Sequence, residues 1–295
     1  MNPSGLTLRT PAKVNPVLEV LGPRPDGYHE LALVFQAVSL FDELEFHRAD
    51  SGVELEILSS PQPLAADDSN LAVRAAKLFI GEALGGRGGV RLGLQKRIPL
   101  AAGLGGGSSD AAAVLSGMDL LFQTGLGKDR LAPWAARLGS DVPFFLWGGT
   151  ARGTGRGERI TPWGPGPEMH LILVKPAGGL STQAVYRSGK ALRSDGTRAA
   201  SFQKTWQEGN PGGIAGRLYN GLQEAAFALA PETAEIHREM LEAGALGALV
   251  SGSGPTVFGL AENPDRAGEI ARRLEGRGRD VFIVRTLPAQ GAEPV

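Results

Sequence analysis

The stretch PLAAGLGGGSSDAAAVL (residues 99–115) decides how this chain folds. It is preceded by GVRLGLQKR (residues 89–97), whose alternating pattern predicts a strand. It is followed by apolar residues that share one helical face: Ala111, Val114, Leu115, Met118, Leu121 and Phe122. Glycine loses the most conformational freedom on folding, so a loop this rich in glycine is costly to fix. The order of strand, glycine loop and helix therefore predicts a loop whose backbone has a function of its own.

The glycine loop has the physical properties of a phosphate site. Backbone N–H groups without side chains in the way can converge on an anion, and the start of a helix adds partial positive charge. We expect the helix to open at Ser108 and Ser109, with one hydroxyl as its cap and Ser109 as the candidate that faces a phosphate or its Mg²⁺. The Walker and dinucleotide patterns both fail, the latter because Ser108 stands where a third glycine is needed.

Composition narrows the class of protein. The chain has 295 residues, no cysteine and a formal net charge of −1. This length suits two domains, and the lack of cysteine excludes disulfides, thiolate metal sites and cysteine nucleophiles. No apolar run reaches the ~20 residues that span a bilayer, and residues 1–15 lack the apolar core of a signal peptide. We therefore expect a soluble cytoplasmic protein that binds neither a membrane nor nucleic acid.

Turn signals and periodicity predict the order of elements. Residues 6–58 read as strands and turns, and Ser69 is a candidate cap for a helix that ends near Leu84. We place a domain boundary near residue 160, which gives units of 1–160 and 161–295. The second unit is predicted to contain strands at 169–175 and 280–284, helices at 214–229 and 232–243, a strand–turn–strand at 246–261, and a final helix capped by Asn263. Residues 188–212 are polar and poorly periodic, which favours a surface connection.

Four blocks together resemble the GHMP kinases, a superfamily that includes galacto-, homoserine, mevalonate and phosphomevalonate kinases. The glycine loop resembles their second motif, and LVSGSGPTVFGL (249–260) resembles their third. TPAKVNPVLEVLGPRPDGYHEL (10–31) and LGSDVPFFLWGGTARGTGRGE (138–158) are similar to the branch that acts on 4-diphosphocytidyl-2-C-methyl-D-erythritol. One departure is Pro16, where the family more often has an apolar residue. Because proline cannot donate to a strand ladder, we expect an edge or a bulge there.

The resemblance implies a fold and an activity. The fold is a two-domain α+β kinase, with an N-terminal ribosomal-protein-like βαβ sandwich, a C-terminal ferredoxin-like domain and the active site in the cleft between them. The activity is ATP-dependent phosphorylation of the 2-hydroxyl of a small molecule, the cytidine diphosphate conjugate of methylerythritol, in non-mevalonate isoprenoid precursor biosynthesis. ATP and Mg²⁺ are the implied cofactors, and the expected state is a monomer or a homodimer.

By resemblance, Asp141 is the catalytic base and Lys13 its partner, which keeps the carboxylate ionised. Taken alone, an aspartate in SDVPFF favours a turn cap, and a lysine favours the solvated surface. Lys96 and Asn70 are weaker candidates for contact with the nucleotide. The expected phosphate loop comprises Pro99, Leu100, Ala101, Ala102, Gly103, Leu104, Gly105, Gly106, Gly107, Ser108 and Ser109.

The implied substrate site needs ring stacking and contacts to a base edge. Tyr28 and Tyr186 resemble the aromatic positions of the family's cytosine clamp. His29 would contact the cytosine edge, Asn15 the methylerythritol hydroxyls and Thr182 the ribose. The structural alternatives are a packed turn for Tyr28 and His29, and a core aromatic for Tyr186.

Three other functions stay open from the sequence. The first is another GHMP kinase of the homoserine or mevalonate type, which the blocks at 10–31 and 138–158 disfavour. The second is a catalytically idle nucleotide-binding module, which has no need of both Lys13 and Asp141. The third is a dinucleotide oxidoreductase, which the missing third glycine disfavours.

Overall fold

The computed structural model describes residues 5–288 and 291–295. Its larger sheet has eight strands: β1 (Leu6–Pro23), β2 (His29–Ala49), β3 (Ser51–Ser59), β4 (Gly88–Gln95), β5 (Thr150–Gly155), β6 (Arg159–Pro162), β8 (Tyr219–Asn220) and β12 (Glu293–Pro294). The main order is β12-β1-β2-β4-β3, with β5 joined to β2 and β6, and β8 joined to β1. Four helices belong to the same unit: α1 (Leu71–Leu84), α2 (Gly106–Phe122), α3 (Gly127–Leu138) and α4 (Val142–Trp147).

The long hairpin of β1 and β2 carries the irregularity predicted at Pro16. Their antiparallel register shifts between Val14 and Val17, so Pro16 lies in a bulge. A proline there removes no hydrogen bond from a regular ladder. β3 and β4 are parallel neighbours joined through α1, which gives the predicted βαβ unit.

Two predicted helix starts are wrong. Asn70, and not Ser69, caps α1, since its side chain accepts the N–H of Ala72. α2 opens at Gly106 after a left-handed Gly105, so Ser108 and Ser109 lie inside its first turns and neither caps it. Because glycine in a left-handed conformation can precede a helix without a capping side chain, the sequence carries no cap signal at this position.

The second sheet has the ferredoxin-like order. Its strands are β7 (His170–Lys175), β9 (Gly247–Val250), β10 (Val257–Ala261) and β11 (Asp280–Arg285), ordered β11-β7-β10-β9 with all neighbours antiparallel. α8 (Gln223–Leu229), α9 (Pro231–Glu242) and α10 (Pro264–Leu274) belong to this unit. Asn263 caps α10 through the N–H of Arg266, as predicted. The long predicted helix at 214–229 is instead interrupted by β8.

The connection at 188–212 is more ordered than the sequence suggested. After α5 (Thr182–Arg187) it contains α6 (Thr197–Glu208) and the start of α7 (Pro211–Ala215). Phe202 and Trp206 of α6 are buried against each other, with ring centroids 6.0 Å apart. Their spacing of four residues was the helical signal, and the polar residues around them obscured it.

One apolar cluster joins the two sheets. Val14 and Val34 of the first sheet belong to the same buried cluster as Leu171 and Phe258 of the second. The predicted boundary at residue 160 falls inside β6, which pairs with β5. No helix in the described part of the chain is long and apolar enough to cross a membrane.

Candidate active site

A cleft of about 920 Å³ lies where the two units meet. Its walls come from the middle of β1, the turn before β2, the first residues of β2, the glycine loop, the residues before α4, α5 and the turn between β9 and β10. Most of the predicted site residues line it: Lys13, Asn15, Tyr28, His29, Pro99, Leu100, Ala101, Ala102, Gly103, Gly105, Gly106, Gly107, Ser108, Asp141, Thr182 and Tyr186.

The glycine loop needs its glycines for both conformation and space. Gly103 and Gly105 have φ of +75°, which L side chains rarely adopt. A Cβ on Gly103 would collide with the carbonyl oxygen of Ser251, and one on Gly105 would lie 2.8 Å from the ring of Phe145. The first N–H groups of α2 have no partner within the helix, and the residues that carry them, Gly106, Gly107 and Ser108, line the cleft. This geometry suits an anion.

The second unit holds the glycine loop from the other side. The hydroxyl of Ser251 donates to the carbonyl of Gly103 at 3.0 Å. Asn220 of β8 in turn fixes this turn, because its amide donates to the carbonyls of Val250 and Gly252, each at 2.8 Å. Both units therefore set the geometry of the glycine loop.

Lys13 and Asp141 meet inside the cleft. Lys13 Nζ lies 3.5 Å from Asp141 Oδ2 and donates to Asn15 Oδ1 at 2.7 Å. The lysine side chain is 4% exposed, whereas that of Asp141 is 34% exposed. Burial lowers the pKa of Lys13, and the nearby Asp141 opposes this shift.

Asp141 occupies the position before α4 but does not cap it. Its side chain makes no capping hydrogen bond to that helix within the described chain. Asp141 therefore does not act as a side-chain cap of α4, which was the structural alternative for this residue. The carboxylate is left facing the cleft beside a buried ammonium.

Aromatic side chains gather at one end of the cleft. The rings of His29 and Tyr186 stack with centroids 4.9 Å apart. Tyr28 is 52% exposed, and the guanidinium of Arg156 lies 4.6 Å from its ring centroid. The observed stack thus pairs His29 with Tyr186, while Tyr28 has Arg156 over one face. Burial raises the pKa of the Tyr186 phenol, which keeps it neutral.

Lys96 does not reach the cleft. Its ammonium is fully buried and contacts Asp42 Oδ2 at 2.5 Å and Asp110 Oδ2 at 2.8 Å. Burial raises the pKa of Asp110 to about 7, although Lys96 opposes this. A lysine directly before a phosphate loop suggested direct contact with the nucleotide, and the two buried carboxylates explain why it turns inward instead.

Two further predicted ligands are engaged elsewhere. Asn70 caps α1 through the N–H of Ala72, which occupies its side-chain oxygen. Ser109 is fully buried, and its hydroxyl donates to the carbonyl of Pro11 at 2.6 Å with Thr10 Oγ1 also at 2.6 Å. Leu104 is buried as well, and its carbonyl accepts the N–H of Lys13 at 2.9 Å.

Sequence reasoning missed two arginines of the cleft. Arg156 and Arg187 both line it near the aromatic side chains. Arg156 lies in the block 138–158, where an arginine among glycines was a usable signal for anion binding. These are the cationic side chains best placed for an anionic group beside the aromatic rings.

The described residues contain no cluster of three or more histidines, cysteines or carboxylates that could hold a metal by itself. Ser108 and Asp141 supply side-chain oxygens to the cleft lining, and a Mg²⁺ that keeps several waters and binds phosphate oxygens needs only one or two such ligands.

Comparison with known proteins identifies the family of this chain. Residues 70–149 match the GHMP kinases N terminal domain, and residues 207–280 match the GHMP kinases C terminal domain. The chain is 44% identical to a 4-diphosphocytidyl-2-C-methyl-D-erythritol kinase of Pelotomaculum thermopropionicum, covering 96% of this chain and 98% of that one.

Solved structures extend the comparison. A crystal structure of a 4-(cytidine 5'-diphospho)-2C-methyl-D-erythritol kinase superposes with a TM-score of 0.80 at 37% identity, covering 95% of this chain and 99% of that one. A homoserine kinase from Cytophaga hutchinsonii shares the fold, with a TM-score of 0.78 at 19% identity over 100% of this chain and 98% of the other. The chain is an ATP-dependent small-molecule kinase that belongs to the GHMP kinase family, in its 4-diphosphocytidyl-2-C-methyl-D-erythritol kinase branch.

Proposed function

We propose that this kinase transfers the γ-phosphate of ATP to the 2-hydroxyl of 4-diphosphocytidyl-2-C-methyl-D-erythritol, giving the 2-phosphate and ADP. The reaction belongs to the non-mevalonate route to isoprenoid precursors. One observation carries the proposal: a carboxylate beside a buried ammonium, Asp141 and Lys13, opens into the same cleft as a glycine loop and a set of aromatic side chains. A cytoplasmic location and a monomer or homodimer stay predictions.

The glycine loop is the proposed ATP-phosphate site. The N–H groups of Gly106, Gly107 and Ser108 face the cleft without competing side chains, so they can donate to phosphate oxygens. The turn at Gly252–Ser253 adds backbone from the second unit. Donors fixed before the reaction stabilise developing negative charge better than donors that must reorganise.

Asp141 is the proposed base. A carboxylate that faces the cleft without a capping role can accept the proton of the attacking 2-hydroxyl. Lys13 keeps that carboxylate ionised and can donate to the attacking oxygen. Asn15 accepts from Lys13 at 2.7 Å and donates to the carbonyl of Val34 at 3.1 Å, so it fixes the direction of the ammonium.

The aromatic end of the cleft is the proposed cytidine site. Tyr28 is 52% exposed with Arg156 over one ring face, so a planar base can stack on it. Tyr186 lines the same cleft and stacks on His29. His29 can hydrogen-bond the base edge, and Arg156 can pair with the diphosphate. Thr182 lines the cleft, where its hydroxyl lies 2.8 Å from that of Ser253, and it keeps the role of contact to the ribose in this proposal.

Mg²⁺ would neutralise charge on the transferred phosphate when bound. Ser108 lines the cleft at the start of α2, whereas Ser109 is buried behind it. We therefore propose Ser108, in place of Ser109, as the hydroxyl nearest the metal. Asp141 keeps the role of base.

The test is ADP release by the purified protein with Mg²⁺–ATP and each of three acceptors: the cytidylated substrate, homoserine and mevalonate. Turnover with the cytidylated substrate alone is expected. Turnover with homoserine or mevalonate alone would contradict the proposed substrate, although the protein would still be a kinase.

A further inference from the structure

The structure contains a second lysine–aspartate cluster behind the glycine loop, to which the proposed function gives no role. Asp42, Lys96 and Asp110, which we name the buried triad, form it. The side chains of Lys96 and Asp42 are 0% exposed and that of Asp110 is 4% exposed. None of the three lines the cleft, so the triad can act on a ligand only through the residues it holds.

One end of the triad holds the chain where it leads into the glycine loop. Asp42 of β2 binds Lys96 through Oδ2. Its other oxygen, Oδ1, accepts the N–H of Arg97 at 2.6 Å and the N–H of Ile98 at 2.9 Å. Both oxygens of this carboxylate are therefore used, and the segment after β4 has one fixed course.

The other end of the triad holds α2. Asp110 lies four residues after Gly106 and on the same helical face. A Cβ on Gly106 would lie 2.9 Å from Lys96 Nζ, so the ammonium lies directly behind the residue that opens the helix. The contact between Lys96 and Asp110 therefore lies directly behind the first N–H groups of α2.

We propose that Lys96 and Asp110 are positioning residues for ATP: their buried contact fixes the start of α2 and so aims the phosphate-binding N–H groups into the cleft. The inference rests on the proposed function, because it assigns a support to the same phosphate site. A buried charge costs much free energy unless it is paired and hydrogen-bonded, so the ammonium of Lys96 favours the position in which it contacts both carboxylates. Such a contact can hold the first N–H groups of α2 in position before ATP binds, as preorganised donors require.

Substitution of Lys96 itself is a poor test, since it leaves two buried carboxylates facing each other and endangers folding. Asp110→Leu is better, because Lys96 then keeps a neutral pair with Asp42. Asp110→Asn is its matched partner, similar in shape and still able to accept from the ammonium through its amide oxygen.

Steady-state kinetics of both variants, with ATP and the cytidylated substrate varied separately, tests the inference. Asp110→Leu is expected to raise the KM for ATP by about tenfold and to lower kcat by about ten- to a hundredfold, as a small misplacement of reacting groups does. The KM for the cytidylated substrate should change by less than about twofold. Asp110→Asn should recover most of the loss.

Arg279→Met supplies the control for stability alone. Arg279 is also a buried cation between two carboxylates, Glu232 and Glu239, but it lies in the second unit away from the cleft. It should lower thermal stability without a selective change in the KM for ATP.

Three results would overturn the inference: an unchanged KM for ATP in Asp110→Leu, equal loss for both ligands, or an Asp110→Asn variant as impaired as Asp110→Leu. A wild-type protein without turnover would instead contradict the proposed function. Calorimetric binding of a non-hydrolysable ATP analogue to the same variants would then still test the triad, with weaker binding expected for Asp110→Leu and equal binding overturning the inference.

Discussion

Two lysine–aspartate clusters lie against adjacent glycines of the same loop, and they differ in access to the cleft. Lys13 lies beside Gly105 and pairs with the half-buried Asp141 at 3.5 Å, whereas Lys96 lies beside Gly106 and pairs with two buried carboxylates. Lys13 and Asp141, which we name the open pair, include a carboxylate that a substrate can reach. The buried triad, which is the closed cluster in this comparison, has no carboxylate in the cleft, so it can act only by holding the backbone. The two clusters have the same residue types, so their access to the cleft decides whether they can take part in the reaction or only hold the backbone.

The largest expected effect concerns the open pair. Asp141→Asn removes both the base and its charge, so kcat should fall by about 10²- to 10⁴-fold while both ligands still bind. Steady-state kinetics together with calorimetric binding measures both quantities. Asp129→Asn, at an exposed carboxylate of α3 that does not line the cleft, is the control, and its kcat should change by less than about twofold. A near-normal kcat in Asp141→Asn would refute the base assignment.

The closed cluster should matter more for stability. Asp42→Asn leaves Lys96 paired with Asp110, but its amide cannot replace both carboxylate oxygens as acceptors, so it should lower the free energy of unfolding by about 1–3 kcal/mol. Asp141→Asn should lower it by less than about 1 kcal/mol, because this carboxylate is partly solvated and Lys13 keeps its hydrogen bond to Asn15. Denaturant titration of the two variants measures the difference. Equal losses would remove the distinction between an open and a closed cluster.

The aromatic end of the cleft should separate the two ligands. Tyr28→Ala should weaken binding of the cytidylated substrate by about ten- to a hundredfold, the range for loss of one base–aromatic stack, and leave ATP unchanged. Tyr219→Ala is the control, since that ring also carries an arginine, Arg198, at 4.3 Å but does not line the cleft. Calorimetry measures both affinities. Equal weakening of both ligands by Tyr28→Ala would indicate a role in folding.

The smallest expected effect is a shift in the pH profile. Burial lowers the pKa of Lys13, so its ammonium loses its proton at a lower pH than an ordinary lysine. As pH rises, the neutral amine no longer supports Asp141, and kcat should fall earlier than an unperturbed lysine predicts. Lys13→Arg keeps its charge across this range and should lose the alkaline decline. If kcat of Lys13→Arg still falls at the same alkaline pH, the decline belongs to the titration of another group.

Local patterns predicted much of this fold. The bulge at Pro16, the cap at Asn263 and the strand–turn–strand at 246–261 follow from backbone chemistry that neighbouring residues decide. The family resemblance supplied the pairing of Lys13 with Asp141, which periodicity could not, because the two residues come from distant parts of the chain.

The errors share a different cause. Lys96 turns away from the cleft because Asp42, 54 residues earlier, and Asp110 form its pocket. Ser109 does not reach the cleft because α2 begins earlier, at Gly106, and the Ser109 hydroxyl donates to the carbonyl of Pro11. A helix that begins at a glycine has no capping side chain that could be recognised in the sequence. The burial of a polar side chain depends on partners that local sequence does not reveal.

The most direct measurement is a crystal structure of the protein with a non-hydrolysable ATP analogue, Mg²⁺ and 4-diphosphocytidyl-2-C-methyl-D-erythritol. We expect the 2-hydroxyl within hydrogen-bond distance of the Asp141 carboxylate, and phosphate oxygens on the N–H groups at Gly106–Ser108. A 2-hydroxyl held by other side chains, with Asp141 turned to solvent, would contradict the account.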